Sequence, residues 1–238
     1  MAAGTLYLIP CPIDPEGGVY DVVPARNREI IDSLDYFIVE NTRSARRFLS
    51  KAGIARPIDT LEFRELNEHS VAGAAVEELV RPIAEGRSAG VISEAGVPAV
   101  ADPGALVVEL CHRRGIRVVP LVGPSSIIMA VMASGMNGQS FAFNGYLPVK
   151  PQERARAIRF FERRAVQERQ TQLFIEPPYR NVKLWVELLQ TCAPATRLML
   201  AMDITAPTEY IVTRTVAEWR KCAAPDMAKR PAIFGIGI

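Results

Sequence analysis

The stretch from Ser93 to Gly104, SEAGVPAVADPG, does most to limit the folds open to this chain. AGVI (89–92) precedes it, a short apolar run of the kind that forms a buried strand. ALVVELCHRRG follows it, with Leu106, Val107 and Leu110 at helical spacing. Pro103 is tolerated in a first helical turn because the N–H it lacks has no partner there. Asp102 stands where a cap belongs, and Gly115 supplies the stop. The unit is therefore strand, long turn, helix. Its turn carries two glycines, two prolines and two acids but no histidine or lysine, a composition suited to a ligand held mainly by main-chain groups.

The same alternation runs through the first half. GTLYLIP (4–10) reads as a strand, CPIDPEGGVYDVVP as a loop and residues 27–34 as a helix. YFIVE (36–40) is an apolar strand running into a helix capped by Asn41 or Thr42 and stopped by Gly53. A strand is expected near Pro57–Leu61, then a helix over 67–86 with Val71, Ala75, Leu79 and Ile83 on one face. IRVVP (116–120) is a further strand, and LVGPSSIIMAVMASG gives a glycine turn, a serine pair and an apolar helix. Strand–helix alternation of this kind predicts a parallel sheet covered on both faces. Ligands of such sheets sit beyond the carboxyl ends of the strands. After Met136 the pattern changes. The linker is placed inside NGQSFAFNGYLPVKPQ, dividing the chain into domains 1–138 and 139–238. A charged helix follows from Gln152 to about Glu168, then a strand in QTQLFIE and a helix at 181–189. Strands in TRLMLAMDIT, TEYIVTRT and RPAIFGIGI predict a mixed sheet with antiparallel pairs.

Several function classes are disfavoured. No apolar run approaches bilayer-spanning length, and MAAGTLYLIP lacks a basic leader, so a cytoplasmic location is expected. Cys11, Cys111, Cys192 and Cys222 are scattered without CxxC spacing, and His69 and His112 are the only histidines, so reduced thiols and no metal site are expected. Neither GxGxxG nor GxxxxGK[ST] occurs, which counts against a polyphosphate-bearing cofactor. S-adenosylmethionine fits better: a zwitterionic amino-acid end, an adenine read by main-chain groups and a sulfonium drawn to carbonyl oxygens. The net charge of +2 leaves room for a local basic patch without marking an obligate nucleic-acid binder.

GTLYLIPCPI, VENTRSARRFL, VISEAGVPAVADPG, VVPLVGPSSIIMA, FNGYLP and FIEPPYR, in this order, resemble the tetrapyrrole-methylase superfamily. The branch most resembled methylates a ribose 2′-hydroxyl of a cytidine in small-subunit ribosomal RNA. The resemblance implies two α/β domains, a homodimer, S-adenosylmethionine held in the cleft between the domains, and ribosomal RNA or the small ribosomal subunit as partner. It also implies site residues: Pro10 closing the first strand; Ser93, Glu94, Ala95, Gly96, Val97 and Pro98 as the turn around the methionine end; Ser125 and Ser126 after the glycine–proline turn; Ile175 and Glu176 at a strand end; Ala201 near the adenine; and Pro231 and Ala232 in the last strand. The chain departs from the RNA branch in reading CPIDPEGG for TPIGNL, ENTR for EDTR, SEAGVP for SDAGTP and EPPYR for ESPHR. RPAIFGIGI is closer to methylases of small tetrapyrroles. A small-molecule methylase and a diverged module without activity are the alternative expectations.

Methyl transfer from a sulfonium is an in-line displacement, so positioning supplies much of the rate. A hydroxyl acceptor also benefits from a base. Glu40 and Glu176 are the candidates to orient or deprotonate it, against the plainer reading that Glu40 pairs with Arg43 or Arg46. The serine pair reads more simply as a helix start than as nucleophiles, because no histidine is near it in sequence. Two arginine-rich helices, with Arg43, Arg46 and Arg47 and with Arg154, Arg156, Arg159, Arg163 and Arg164, are candidates for RNA phosphates. The competing expectation pairs the second set with Glu153, Glu162 and Glu168, and no aromatic-interleaved basic stretch is read as support for single-strand stacking.

Overall fold

Residues 2–66 and 73–238 are described by a computed structural model. They divide into two compact units, Met1–Ser125 and Ser126–Ile238. The start of the helix expected over 67–86, with Val71 and His69, lies outside the described residues.

In the first unit the order is β1 (Thr5–Ile9), α1 (Val19–Val22), α2 (Asn27–Ser33), β2 (Tyr36–Val39), α3 (Thr42–Lys51), β3 (Glu62–Glu65), α4 (Gly73–Ala84), β4 (Ala89–Ile92), α5 (Gly104–Arg113) and β5 (Arg117–Pro120). The strands form one parallel sheet, ordered β3-β2-β4-β1-β5. Every residue of β2 and β4 is buried, as expected where both faces are covered. The period of two sorts the side chains. Leu6, Tyr36, Ile38 and Val91 pack with α4 and α5, whereas Ile9, Phe37, Val39 and Ile92 pack with α1, α2 and α3. Gly90 makes the second arrangement possible, because a Cβ there would collide with Ile9 and Phe37. α3 shows how local sequence serves the packing: Asn41 accepts from the Ser44 N–H, and Ala45, Phe48 and Leu49 form the buried stripe.

The connections β1–β2 and β2–β3 step one way across the sheet, while β3–β4 and β4–β5 step back. Right-handed crossovers place the helices of the two directions on opposite faces. The chain leaving β4 therefore departs to one side, while the chains leaving its two neighbours, β1 and β2, depart to the other. The resulting crevice surrounds the carboxyl end of β4, where Ser93–Gly104 begins.

The second unit holds α6 (Ser126–Ser134), β6 (Phe141–Tyr146), α7 (Pro151–Gln167), β7 (Thr171–Ile175), α8 (Asn181–Thr191), β8 (Arg197–Met202), β9 (Tyr210–Thr215), α9 (Val216–Trp219) and β10 (Ala232–Gly237). Its sheet runs β6-β7-β10-β8-β9, with β6 and β7 parallel and the other neighbours antiparallel. Trp185 and Trp219 meet edge to face at 4.9 Å in its core. α6, assigned by sequence to the first domain, groups with this unit. It packs against β9 and β10, and Ser134 O accepts from Thr213 Oγ1 at 2.7 Å.

Two sequence expectations are corrected. Residues 58–60 form a single 3₁₀ turn, and the strand follows at 62–65. Pro57 and Asp59 favour the turn, and β3 pairs with β2 only, at the sheet edge where charged residues are tolerated. The stretch expected to hold the linker contains β6, whose residues are half-buried up to an exposed Tyr146 and lack a clear alternation. Its register shifts between Phe143 and Tyr146, with Gly145 at φ +64°, so the strand is bulged.

Candidate functional site

The crevice at β4 is held by main-chain bonds and by carboxylates that accept from main-chain N–H groups. Cys11, just past β1, forms a two-bond bridge with Gly96: Cys11 N–H donates to Gly96 O at 2.8 Å and Gly96 N–H to Cys11 O at 3.1 Å. Gly96 has φ +70°, the left-handed region where glycine carries no penalty. Ala99 and Ala101 also have positive φ, at 64° and 60°, which costs a residue with a Cβ about 1–2 kcal/mol each. Asp102 offsets that strain by bridging Ala99 and Gly104 across the second half of the turn. Its Oδ2 accepts from Ala99 N–H at 2.8 Å and its Oδ1 from Gly104 N–H at 2.7 Å. Burial pushes the Asp102 carboxyl upward, and these two N–H groups pull it back. The capping role read from the sequence holds, although α5 begins at Gly104, with Pro103 as the N-cap residue.

Glu40, half-buried at the end of β2, accepts from the Glu94 N–H at 3.3 Å. It lines a small void of about 10 Å³ together with Ser93, Asp102 and Gly104. Arg46 pairs with Asp59. Ser93 is buried and its hydroxyl donates to Ala95 O at 3.3 Å. Pro10 closes β1 against Gly123, where a Cβ would overlap the proline ring. Beside this cluster lies a cavity of about 110 Å³, lined by Cys11, Gly17, Ser44, Arg47, Ser93 and Glu94 among others. The first unit thus gathers Pro10, Glu40 and the Ser93–Pro98 turn at one sheet edge. Ser125 and Ser126 stand where the two units divide, with Ser126 opening α6.

The remaining sequence-derived residues gather at one edge of the second sheet. Ile233 pairs with Ile175 on one side and Ala201 on the other, and Ala232 pairs with Met202. Pro231 O accepts from Asp203 N–H at 3.1 Å. This edge is also strained: Asp203 and Thr205 have φ of 49° and 74°, an outlier for β-branched Thr205. Glu209 holds the Thr205 N–H at 2.8 Å, and Arg230 holds Asp203 at 2.7 Å.

Sequence reasoning missed a buried ionic group at the same edge. The Arg154 side chain is 1% exposed and chelates Glu187 through two nitrogens. Glu176, with its side chain fully buried, lies 2.7 Å from Arg180 and 3.9 Å from Arg154. The Arg180 contact is out of line for a hydrogen bond, leaving both Glu176 oxygens without one. Burial pushes the Glu176 carboxyl above its ordinary value of 4.5, against the pull of Arg180 and then Arg154. The signal for Arg154 was available: it falls on the inward stripe of α7 with Ile158, Phe161 and Ala165.

This has a pH consequence. A carboxyl raised in the folded state binds its proton more tightly folded than unfolded. Its contribution to stability is therefore fullest below pH 4.5 and is lost as pH rises through the folded value. Glu176→Gln is expected to match the wild-type Tm near pH 4 and to exceed it near pH 7. A Tm difference that stays constant across this range would contradict the shift.

The profile of the tetrapyrrole (corrin/porphyrin) methylases matches residues 18–219. A ribosomal RNA small subunit methyltransferase I of Xylella fastidiosa is 30% identical over 233 residues, covering 98% of this chain and 80% of that protein. The protein of the same name from Vibrio cholerae is 32% identical over 224 residues, covering 94% and 73%. Among solved structures, the methyltransferase CobJ aligns with a TM-score of 0.63 at 17% identity, covering 99% of this chain and 94% of its own. Uroporphyrin-III C-methyltransferase of Thermus thermophilus complexed with S-adenosylhomocysteine aligns at 0.53 and 16% identity, covering 98% and 97%. With a parallel first sheet, a mixed second sheet and a family profile spanning most of its length, the chain belongs to the tetrapyrrole (corrin/porphyrin) methylase family.

Proposed function

We propose that this protein is an S-adenosylmethionine-dependent methyltransferase of small-subunit ribosomal RNA, acting on a ribose 2′-hydroxyl. The observation that carries the reading is the turn after β4, fixed at the sheet's switch point by main-chain bonds to Cys11 and by the Glu40 and Asp102 carboxylates accepting from its N–H groups. The relatives named for ribosomal RNA methylation support the acceptor class.

The residues present suit the cofactor. The cavity beside the turn is lined by both a guanidinium, Arg47, and a carboxylate, Glu94, as a zwitterionic amino-acid end requires. Glu94 is steadied by Ser44 Oγ at 3.2 Å. Ser93, Glu94, Ala95, Gly96, Val97 and Pro98 are assigned to this end, with Pro10 closing the first strand beside the cofactor. Ser125 and Ser126 are assigned as further polar contacts, Ile175 as a strand-end residue facing the cofactor, and Ala201, Pro231 and Ala232 as contacts to the adenine. When bound, the cofactor supplies a methyl group on a sulfonium. Glu40 is assigned to orient the acceptor hydroxyl and take its proton. Glu176, enclosed by Arg180 and Arg154, is instead a positioning residue that fixes Arg180.

Glu40→Gln is expected to lower kcat by about 10²-fold, the lower end of general-base effects. Gln keeps an oxygen that can accept from the Glu94 N–H, so cofactor affinity by calorimetry should fall far less than kcat. An unaltered kcat would remove Glu40 from the chemistry. The function itself is tested with labelled S-adenosylmethionine and small ribosomal subunits from a strain lacking the gene. Label in the RNA at a linkage that resists alkaline hydrolysis supports ribose methylation. Label in a base, in a tetrapyrrole or in neither acceptor overturns that assignment. The assembly is proposed to be a homodimer and its location the cytoplasm.

A further inference from the structure

We infer that the solvent face of α7 is an RNA-docking surface, built by Arg156, Arg159 and Arg163 around the exposed ring of Phe160. The inference rests on the ribosomal RNA reading above and adds the part of the protein that grips the acceptor away from the reacting atoms.

The case comes from where the charges of α7 go. Two of its five arginines are used internally. Arg154 turns inward onto Glu187, and Arg164 pairs with Glu168 at 2.9 Å. Its acids are used as well. Glu153 pairs with Lys150, and Glu162 accepts from the Ala193 N–H and Thr196 Oγ1, tying α7 to the turn before β8. The sequence alone left open whether Glu153, Glu162 and Glu168 neutralise the arginine run. Among the described residues, Arg156, Arg159 and Arg163 have no carboxylate within ion-pair distance. All three are exposed, at spacings of three and four that place them on one face. Arg156 and Arg163 are two turns apart, about 10 Å along the axis.

Phe160 lies on the same face and is 47% exposed. Its ring meets Phe161 edge to face at 5.2 Å, and Phe161 in turn packs on Phe174 at 5.1 Å, so one side of the Phe160 ring is anchored while the rest faces solvent. An exposed ring among unneutralised guanidinium groups offers a polyanion with unpaired bases both phosphate contacts and a stacking platform.

The test measures affinity for naked small-subunit ribosomal RNA and, separately, for intact small subunits, across a salt series. Each phosphate contact contributes about 0.7 to the log–log salt slope on single strands and about 0.9 on duplex. The combined variant Arg156→Ala, Arg159→Ala, Arg163→Ala is expected to flatten the slope by about 2–3 and to weaken RNA binding roughly 10- to 100-fold at 0.15 M salt. Its Tm and its affinity for S-adenosylmethionine should stay at wild-type values. The corresponding triple lysine variant should retain the slope, and Phe160→Ala should weaken binding without changing it.

A triple alanine variant with an unchanged slope on naked RNA overturns the proposal. Loss confined to intact subunits also overturns it, in favour of a ribosomal protein as the contact. If the triple variant does not fold, the single alanine variants carry the same test, each expected to lower the slope by 0.7–0.9. Failure of the wild type to methylate RNA, with the slope change still present, would sink the enzymatic reading and leave the docking surface standing.

Discussion

Arg154→Ala is expected to destabilise the second unit by about 3–5 kcal/mol, the cost of removing one partner from a buried ionic group. The guanidinium is 1% exposed and answers two carboxylates, Glu187 directly and Glu176 at 3.9 Å. Its loss leaves the fully buried Glu176 carboxylate with Arg180 alone and deprives Glu187 of its chelating partner. The chain contains two tryptophans, Trp185 and Trp219, and both lie in this unit's core, so fluorescence-monitored urea unfolding reports on it directly. The midpoint should fall sharply. Adding Glu187→Gln and Glu176→Gln to Arg154→Met should recover much of the loss, because a replaced ion group costs far less than a broken one. A loss under about 1 kcal/mol for Arg154→Ala would mean that water reaches the group after all.

Gly123→Ala is expected to cost about 3 kcal/mol, near the top of the range for overpacking. A Cβ at this position overlaps Cβ and Cγ of Pro10, and a pyrrolidine ring has no alternative rotamer with which to yield. Either the strand end at Pro10 moves or the turn before α6 does, and both carry residues assigned to the cofactor. Affinity for S-adenosylmethionine should therefore fall together with thermal stability followed by far-ultraviolet circular dichroism. Pro10→Gly should relieve much of the second substitution's cost, giving a large coupling in a double-mutant cycle. Additive effects would show that the two residues do not press on one another in solution.

What was legible in the sequence follows from how each signal is encoded. β2 and β4 were readable because strands covered on both faces must be apolar throughout, and YFIV and AGVI are. The Asp102 cap was readable because it acts on its own neighbours. β6 was not, since FAFNGY is half-buried, broken by Gly145 and paired only at one edge. β3 was displaced for a related reason: an edge strand tolerates Glu62, Arg64 and Glu65, so charge hides it. At the site, the turn after β4 was visible as composition. The ionic group of Arg154, Glu176, Arg180 and Glu187 depends on α7, the end of β7 and α8 coming together over more than thirty residues of separation, as in the Arg154–Glu187 contact. One-dimensional spacing cannot show such a meeting, although the helical register of Arg154 with Ile158 pointed inward.

The position of β4 between β2 and β1 has a consequence for the order in which the chain can be built. β1 ends at Ile9, but both strands that bond to it, β4 and β5, are synthesised only from residue 89 onward. At ribosomal rates of about 5–20 residues per second, the first strand waits roughly 4–16 s with both edges bare. During that interval Leu6, Leu8 and Ile9 are a hydrophobic template without a mate, the state that invites intermolecular pairing. A nascent chain arrested after β3 should therefore be a holdase client. Release from that dependence should coincide with emergence of the strand that inserts between its two elders.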